Sequence, residues 1–274
     1  MTFSTKTFCT RASCVRAYSL LRHHLGVVCR RAHSFGSRSH TTLEQVSMLE
    51  LSPSHSSQAS VDPSRSARPP SVSRVLKATE SAQSKWALEK WRQQMIEKMG
   101  AAAFQVHSEN MLRKGRDIHA VIHKRLLGEE AEVEADVKPY LSSVHHELAK
   151  FHDIHACEQY LAHGSLLYAG VLDCIAHYSS SGLFLIDWKT SAKKKTRAHQ
   201  TFDHPLQLAA YIGLWNSNYV HTQVSQGMLV MMYSDGSPCD IIKVNNESLT
   251  MYWKQWKLRL KQYWQEELDN AHSY

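Results

Sequence analysis

Two apolar segments between Leu166 and Ser191 decide the fold of this chain. The first reads L-L-Y-A-G-V-L-D-C-I-A-H-Y (166–178), the second reads L-F-L-I-D-W-K-T-S (183–191), and a polar S-S-S-G separates them. Runs rich in β-branched and aromatic residues around a short polar break predict a β-hairpin. Because both runs are apolar on both faces, we expect buried strands near the centre of a sheet.

Charged residues interrupt both predicted strands. Asp173 lies in the first, and Asp187 and Lys189 lie in the second. Buried charges are costly unless they are paired or hold a metal ion. Because strand side chains alternate, Asp187 and Lys189 share one face of the sheet. The hairpin therefore predicts a catalytic site.

The register of the hairpin decides whether the two carboxylates meet. If Asp173 lies opposite Asp187, His177 opposes Leu183 and five residues, Tyr178 to Gly182, connect the strands. Gly182 provides the positive φ that such a connection requires. A connection of four residues would place Asp173 on the wrong face, so we expect the odd-numbered loop or a bulge.

Two carboxylates on one face repel each other unless a cation lies between them. Their oxygen atoms favour Mg²⁺, or Mn²⁺, over zinc, and the main-chain carbonyl of Trp188 is a further candidate ligand. The side chain of Lys189 then lies beside the attacking water, which it positions or activates, or beside a phosphate oxygen whose charge it stabilises.

The composition assigns the positive charge to the N-terminus. The net charge of the 274 residues is +7, and residues 1–43 hold seven Lys and Arg and no acidic residue, so the remainder is neutral. An Arg-rich, acid-free leader is typical of a mitochondrial transit peptide, although a disordered basic tail has the same composition. No apolar stretch is long enough to span a membrane, and no C-x-x-C pair indicates a zinc knuckle.

The rest of the chain predicts one domain. A Ser- and Pro-rich segment predicts a disordered linker over residues 44–69, and residues 70–274 suit a single globular domain. We expect a helix capped by Ser84 with a core-facing stripe, a longer helix from Ser108 to Leu127, and a strand from Val220 to Tyr233. The stripe comprises Trp86, Trp91, Met95 and Met99.

Histidines are dense in two stretches. His119 and His123 share one face of the longer helix, a spacing that can bind a metal, although no Glu follows the first His as in a metalloprotease. A second tract between Pro139 and Cys157 has no ordered pattern, and a solvated helix face explains it best. Its members are His145, His146, His152 and His155.

The motifs G-V-L-D-C (170–174), L-I-D-W-K-T-S (185–191) and Q-L-A-A-Y (207–211) together resemble the RecB-like branch of the PD-(D/E)XK nuclease superfamily. In that branch a Gly-x-x-x-His helix precedes the hairpin, and Gly115 and His119 match it. The resemblance implies an α/β, restriction-endonuclease-like core with a central mixed β-sheet and helices on both faces. One departure is that H-A-V-I-H stands where the branch commonly has H-x-x-L-E, which leaves His123 without a role.

The resemblance also implies roles for individual residues. The catalytic residues are Asp173, Asp187 and Lys189, and the metal ligands are these two carboxylates, the Trp188 carbonyl, His119 and Glu158, which we expect upstream of the first strand. Gln207 is expected near the scissile phosphate, with Tyr211 as a DNA contact.

Basic residues elsewhere predict further contacts to DNA phosphates. A cluster follows the second strand directly: Lys193, Lys194, Lys195 and Arg197. On a predicted C-terminal helix, Lys254 and Lys257 lie beside a Trp-containing seam, a combination that suits single strands. Solvated lysines next to buried tryptophans explain this second pattern equally well.

These observations lead to one expected function and two alternatives. We expect a monomeric, Mg²⁺-dependent exonuclease for single-stranded DNA that acts in mitochondrial DNA maintenance, replication and repair in the matrix, alongside the replication machinery. The first alternative is a catalytically silent nucleic-acid-binding module on the same fold. The second is a zinc-dependent hydrolase built from the His tracts.

Overall fold

The computed structural model describes residues 68–272. The expected transit peptide and nearly all of the expected linker lie outside these residues. The helices are α1 (Val72–Ala78), α2 (Ala82–Met99), α3 (Ala101–Leu126), α4 (Lys138–Leu148), α5 (His204–Asn218) and α6 (Asn246–His272). The strands are β1 (Phe151–His163), β2 (Tyr168–Tyr178), β3 (Leu183–Ser191), β4 (Gly227–Tyr233) and β5 (Asp240–Val244).

The five strands form one mixed sheet in the order β1-β2-β3-β4-β5. Only β3 and β4 are parallel among these neighbours, and the other pairs are antiparallel. A parallel neighbour requires a crossover, which α5 provides between β3 and β4. This confirms the predicted α/β class and its central mixed sheet.

Helices cover both faces of the sheet, as predicted. Leu185 belongs to a core shared with α1, α5 and α6, whereas its neighbour Ile186 belongs to a core shared with α3 and α4. Both side chains are fully buried. Because side chains alternate along β3, the carboxylate of Asp187 and the amine of Lys189 follow Leu185 onto the α5 face.

The predicted hairpin register is confirmed. His177 pairs with Leu183 and Cys174 pairs with Ile186, which leaves five residues between the last paired positions. Within the loop, Gly182 has φ +98°, and its carbonyl accepts a hydrogen bond from the Tyr178 N–H at 3.2 Å. Glycine adopts this backbone conformation without a steric penalty.

Strand β1 is the element that the sequence pattern failed to indicate. The prediction of a helix face from Pro139 to Cys157 is wrong beyond Leu148, because His152 and His155 lie on β1. Glu158 likewise lies within β1, not before the first strand. A register shift between His152 and Ala156 interrupts the regular alternation of side chains, so the sequence lacks a period of two there.

Helix α2 corrects a second prediction. It contains no buried residue, and the side chains of Trp86 and Trp91 are 64% and 47% exposed. The expected core-facing stripe is therefore wrong, and the N-cap is Ser81 instead of Ser84. Apolar spacing predicts the helix, but it cannot show that a second element covers the face. The ring of Trp91 meets the ring of Phe104, at the start of α3, edge-on.

The remaining differences concern boundaries. Helix α3 begins at Ala101, earlier than expected, and the strand expected from Val220 begins at Gly227. The apolar seam of α6 is buried, which agrees with the explanation by buried tryptophans, and it comprises Leu249, Trp253, Trp256, Leu260 and Tyr263. None of the described helices has the length and apolarity needed to cross a membrane.

Candidate active site

Three acidic residues form a row across neighbouring strands. The pairs Cys157–Cys174 and Gln159–Leu172 place Glu158 on β1 opposite Asp173 on β2. The β2–β3 register continues this row to Asp187 on β3. Glu158 also has a left-handed backbone, with φ +48°, which is uncommon outside glycine and often marks functional sites.

The row lies where β2 and β3 separate. Backbone pairing between these strands ends at Cys174 and Ile186. Beyond that pair, a carboxylate oxygen of Asp173, Oδ2, accepts a hydrogen bond from the Trp188 N–H at 2.9 Å. The Trp188 carbonyl lies 3.0 Å from the Nε2 atom of His119. Side chains of Asp173 and His119 thus contact the N–H and carbonyl groups of Trp188 that face β2, in place of the β2 backbone.

Helix α3 brings His119 to this opening. The buried residues Ile118 and Ile122 pack α3 against the sheet and hold the imidazole in place. Its Nδ1 atom lies 3.4 Å from Glu158 Oε1 and 3.5 Å from Asp173 Oδ1. Burial lowers the pKa of His119, but hydrogen bonds with Asp173 and Glu158 outweigh it and raise the pKa to about 10.

Asp187 and Lys189 form a buried ion pair on the face of the sheet that α5 covers. The Nζ atom of Lys189 donates to Asp187 Oδ1 at 3.0 Å and lies 2.9 Å from Oδ2, which accepts no well-directed hydrogen bond. Burial raises the pKa of Asp187 to about 7 against the opposing effect of Lys189. Burial lowers the pKa of Lys189, but the two aspartates outweigh it and raise the value overall, so the amine stays charged.

The donor atoms are suited to a hard divalent cation. One ligand atom from each of His119, Glu158 and Asp173 lies within 4.8 Å of the others, and the Trp188 carbonyl oxygen touches the same imidazole. Carboxylate and carbonyl oxygens with a single imidazole favour Mg²⁺ or Mn²⁺ over a soft metal. Of the other predicted ligands, Asp187 is directed toward Lys189, and the Trp188 carbonyl contacts Nε2 of His119, whereas Nδ1 faces the two carboxylates.

Helix α5 places Gln207 and Tyr211 beside the row. The side-chain amide of Gln207 donates to the Tyr211 hydroxyl at 3.1 Å. Burial and then the charge of Asp187 raise the pKa of Tyr211 to about 12, so its hydroxyl stays protonated. A Cβ atom at Gly170 would lie 2.7 Å from the Tyr211 ring. The glycine of G-V-L-D-C therefore lets Tyr211 approach β2.

The basic loop after β3 is anchored, but its charges face solvent. Lys193, Lys194 and Arg197 are exposed. The Lys195 N–H donates to the Tyr233 hydroxyl at 3.0 Å, which fixes the loop to β4. Lys254 is exposed and Lys257 is partly buried on α6. The loop thus follows the predicted catalytic strand directly, and the DNA contacts of the loop and of the α6 lysines stay predictions.

His204, the first residue of α5, is not among the site residues predicted from the sequence. Asp203 holds the N-cap position of α5 and pairs with Arg259 at 3.1 Å. Burial, followed by the charges of Lys189 and Lys195, lowers the pKa of His204 to about 3. Its Nδ1 atom is buried without a hydrogen-bond partner among the described residues. A neutral imidazole thus lies near Lys189, and no sequence motif indicates it.

A family model described as the PD-(D/E)XK nuclease superfamily matches residues 2–270. The chain belongs to the PD-(D/E)XK nuclease superfamily. Asp173 and Asp187-Trp188-Lys189 match the acidic residue and the acidic-x-Lys motif for which the superfamily is named. These residues lie on the paired strands β2 and β3, so the motif is assembled in space as well as in sequence.

Three similar proteins carry the name Mitochondrial genome maintenance exonuclease 1. The protein of Homo sapiens is 38% identical over 71% of this chain and 58% of its own length. The Xenopus tropicalis protein is 37% identical over 71% of this chain and 57% of its own, and the Mus musculus protein is 34% identical over 72% and 60%. The chain thus matches somewhat less than two thirds of the length of these relatives.

Proposed function

We propose that this chain is a metal-dependent nuclease that removes nucleotides from single-stranded DNA in mitochondria. The observation that supports it best is the row of Glu158, Asp173 and Asp187, closed by His119 and bordered by Lys189. Keeping the buried carboxylate of Asp187 and the partly buried carboxylate of Asp173 beside a charged lysine is costly for stability, and catalysis of phosphodiester hydrolysis explains that cost.

The donor set fits a divalent cation. Asp173, Asp187, Glu158, His119 and the Trp188 carbonyl would hold Mg²⁺ or Mn²⁺. When bound, the cation supplies Lewis-acid stabilisation of charge on the scissile phosphate and a lowered pKa for water. The fit is supported by the close approach of three ligand atoms and by the Asp187 Oδ2 atom, which is buried without a hydrogen bond.

Lys189 is the residue that we assign to the attacking water. Its side chain is 18% exposed, so most of it is buried while part of it stays accessible. Because the two aspartates keep it charged, it donates hydrogen bonds and stabilises negative charge at a phosphate oxygen. We assign Gln207 on α5, whose side-chain amide is hydrogen-bonded to the Tyr211 hydroxyl, to orient the same phosphate.

Surface charge, leader composition and the similar proteins support the choice of substrate and compartment. Exposed Lys193, Lys194 and Arg197 follow the catalytic strand directly and suit contacts to phosphates. The acid-free, Arg-rich leader supports import into mitochondria. The names of the three relatives support exonuclease action in mitochondrial genome maintenance.

The decisive experiment uses end-labelled linear and circular single-stranded DNA, with and without Mg²⁺. We expect Mg²⁺-dependent loss of the linear strand, survival of the circle, and no cleavage by Asp187→Ala or Lys189→Ala, both of which still bind DNA. Lys243→Ala, an exposed lysine on β5, is the matched control and should cleave normally. Full activity in either site variant would overturn the proposal.

The same experiment separates the two alternatives. A silent binding module would retain DNA without cleaving it at any Mg²⁺ concentration. A zinc hydrolase would be active with Zn²⁺ and inactive with Mg²⁺. The structure gives the second alternative no support between residues 68 and 272, where His119, Glu158 and Asp173 form the one candidate metal group. The rings of His152 and His155 each contact His177 instead.

A further inference from the structure

Phe202 has two unusual properties. Its side chain is 79% exposed, the highest value for a large apolar residue in the described part of the chain. Its backbone has φ +54°, in the left-handed region. Bulky residues rarely adopt this conformation, because Cβ then crowds the backbone, and such strain persists mainly where surrounding structure and function require it.

The neighbouring residues show how the strain is maintained. Thr201 is fully buried, and its hydroxyl donates to the Ala198 carbonyl. Asp203 occupies the N-cap position of α5, and its side chain pairs with Arg259 on α6. Both flanking residues are thus fixed in the fold, and the left-handed turn between them directs the phenyl ring outward. No described apolar contact compensates for this exposure.

The position of Phe202 links it to the candidate site. The ring centroid lies 5.0 Å from the Nζ atom of Lys195 in the basic loop. Two residues further along, His204 is close enough to Lys189 and Lys195 for both charges to lower its pKa. Gln207 follows one turn later on α5. An exposed aromatic ring and a lysine therefore lie together between the catalytic strand and the helix of Gln207.

We propose that Phe202 is a stacking platform for an unpaired base of the DNA strand at the active site, with Lys195 binding the adjacent phosphate. The inference rests on the proposed function and specifies how it selects single strands. Every base offers a π-face, so stacking tolerates any sequence, whereas a base within a duplex has both faces covered.

Leu167 provides a matched control. It is also an exposed apolar residue, 56% exposed, and it has the same φ of +54°. It lies in the β1–β2 turn, six residues before Asp173, a separation of roughly 20 Å along the strand. Replacing either residue with glycine relieves the same backbone strain, but only Phe202 is placed to contact DNA at the site.

The test measures binding of a fluorescent 20-nucleotide single strand by full-length Asp187→Ala protein, together with thermal unfolding. We expect Phe202→Gly and Phe202→Ala to weaken binding by about 5- to 100-fold, and Phe202→Leu to behave like Ala. Phe202→Trp should bind within about threefold of the parent. Phe202→Gly should also raise the Tm, so that stability and affinity change in opposite directions. Leu167→Gly should raise the Tm and leave binding unchanged.

A strand of the same length with abasic sites adds a direct readout. If Phe202 stacks on a base, Phe202→Ala and its parent should bind this strand equally. Unchanged binding of the normal strand by Phe202→Ala, or an equal loss with Leu167→Gly, would overturn the stacking role while wild-type cleavage of single strands still supports the proposed function. If the wild-type chain neither binds nor cleaves single strands, both proposals fail.

Discussion

The β2–β3 hairpin has two halves, a paired half next to the turn and an open half at the candidate site. The two halves differ in how the strands are held together. From His177 to Cys174, backbone pairing joins β2 to β3, and Ile186 is fully buried. Beyond Cys174, the Asp173 carboxylate and the His119 imidazole bind the backbone of Trp188 instead. One pair of strands thus provides both a packed core and an opening lined with charges.

The comparison shows where stability and chemistry are separated in this fold. Apolar burial stabilises the paired half, roughly 1.5–3 kcal/mol for each large side chain. In the open half, burial raises the pKa of Asp187, and Glu158 has a left-handed backbone, so both act against folding. We expect substitutions in the two halves to affect activity and stability separately, and four experiments test this, from the largest effect to the smallest.

The largest effect is expected at Asp173 in the open half. Asp173→Asn retains an oxygen that can accept the Trp188 N–H but removes the negative charge. We expect the rate of single-strand cleavage to fall by about 10³-fold or more, with a Tm close to that of the parent. Single-turnover cleavage and thermal unfolding on one preparation check this. Cleavage at the normal rate by this variant would show that Asp173 has no role in catalysis.

In the paired half, Ile186→Ala should show the opposite behaviour. Ile186 is fully buried beneath α3 and α4. The cavity should reduce the free energy of unfolding by about 2–5 kcal/mol, and Ile186→Val by about 0.5–1.5 kcal/mol. Denaturant unfolding measures both. Cleavage per folded molecule should stay within a few-fold of the parent, and a selective loss of activity would show that the two halves are coupled.

The pH dependence of the metal-free protein tests His119. Its pKa is about 10 in the fold and about 6.5 in an unfolded chain. Because the folded value is raised, its stabilising contribution is fully present below pH 6.5 and is lost as the pH rises through 10.

Between pH 7 and 10.5, with EDTA present, the free energy of unfolding of the parent should therefore fall by roughly 1–3 kcal/mol more than that of His119→Gln. Parallel curves would mean that the neighbouring carboxylates do not raise the pKa of the His119 imidazole in the folded protein. Measuring the difference between parent and variant cancels the titration of other groups.

The smallest effect is expected at the turn. Gly182 has φ +98°, so Gly182→Ala should cost about 1 kcal/mol of stability. The apolar residues that follow keep β3 in register, and activity should therefore be retained. A loss of cleavage far beyond the change in Tm would instead show that this turn sets the position of Asp187.

Helix α2 shows one limit of prediction from sequence. The helix exists as its spacing predicts, but Trp86 is exposed, whereas Trp256 in the similarly patterned α6 is fully buried. Apolar periodicity reports which residues share a helix face and carries no information about a partner for that face. Strand β1 shows another limit, because its register shift removes the alternation that predicts strands.

The candidate site was predicted only in part, because the sequence pattern reports local spacing and not which elements meet in space. The strand period and an odd loop place Asp173 opposite Asp187, and motif spacing brings in Gln207. The pairing of Lys189 with Asp187, the contact of His119 with the Trp188 carbonyl and the outward ring of Phe202 could not be predicted, because they depend on side-chain directions and on elements far apart in the chain.

The sequence by itself determined the hairpin, its register and the charges within it, since these follow from a period of two and a five-residue connection. Tertiary structure decided where β2 and β3 separate, and that α3 fills the opening with His119. The physical reason is range. Local backbone geometry sets register, whereas the donors around a cation come from strands and helices that meet only after the sheet has been packed on both faces.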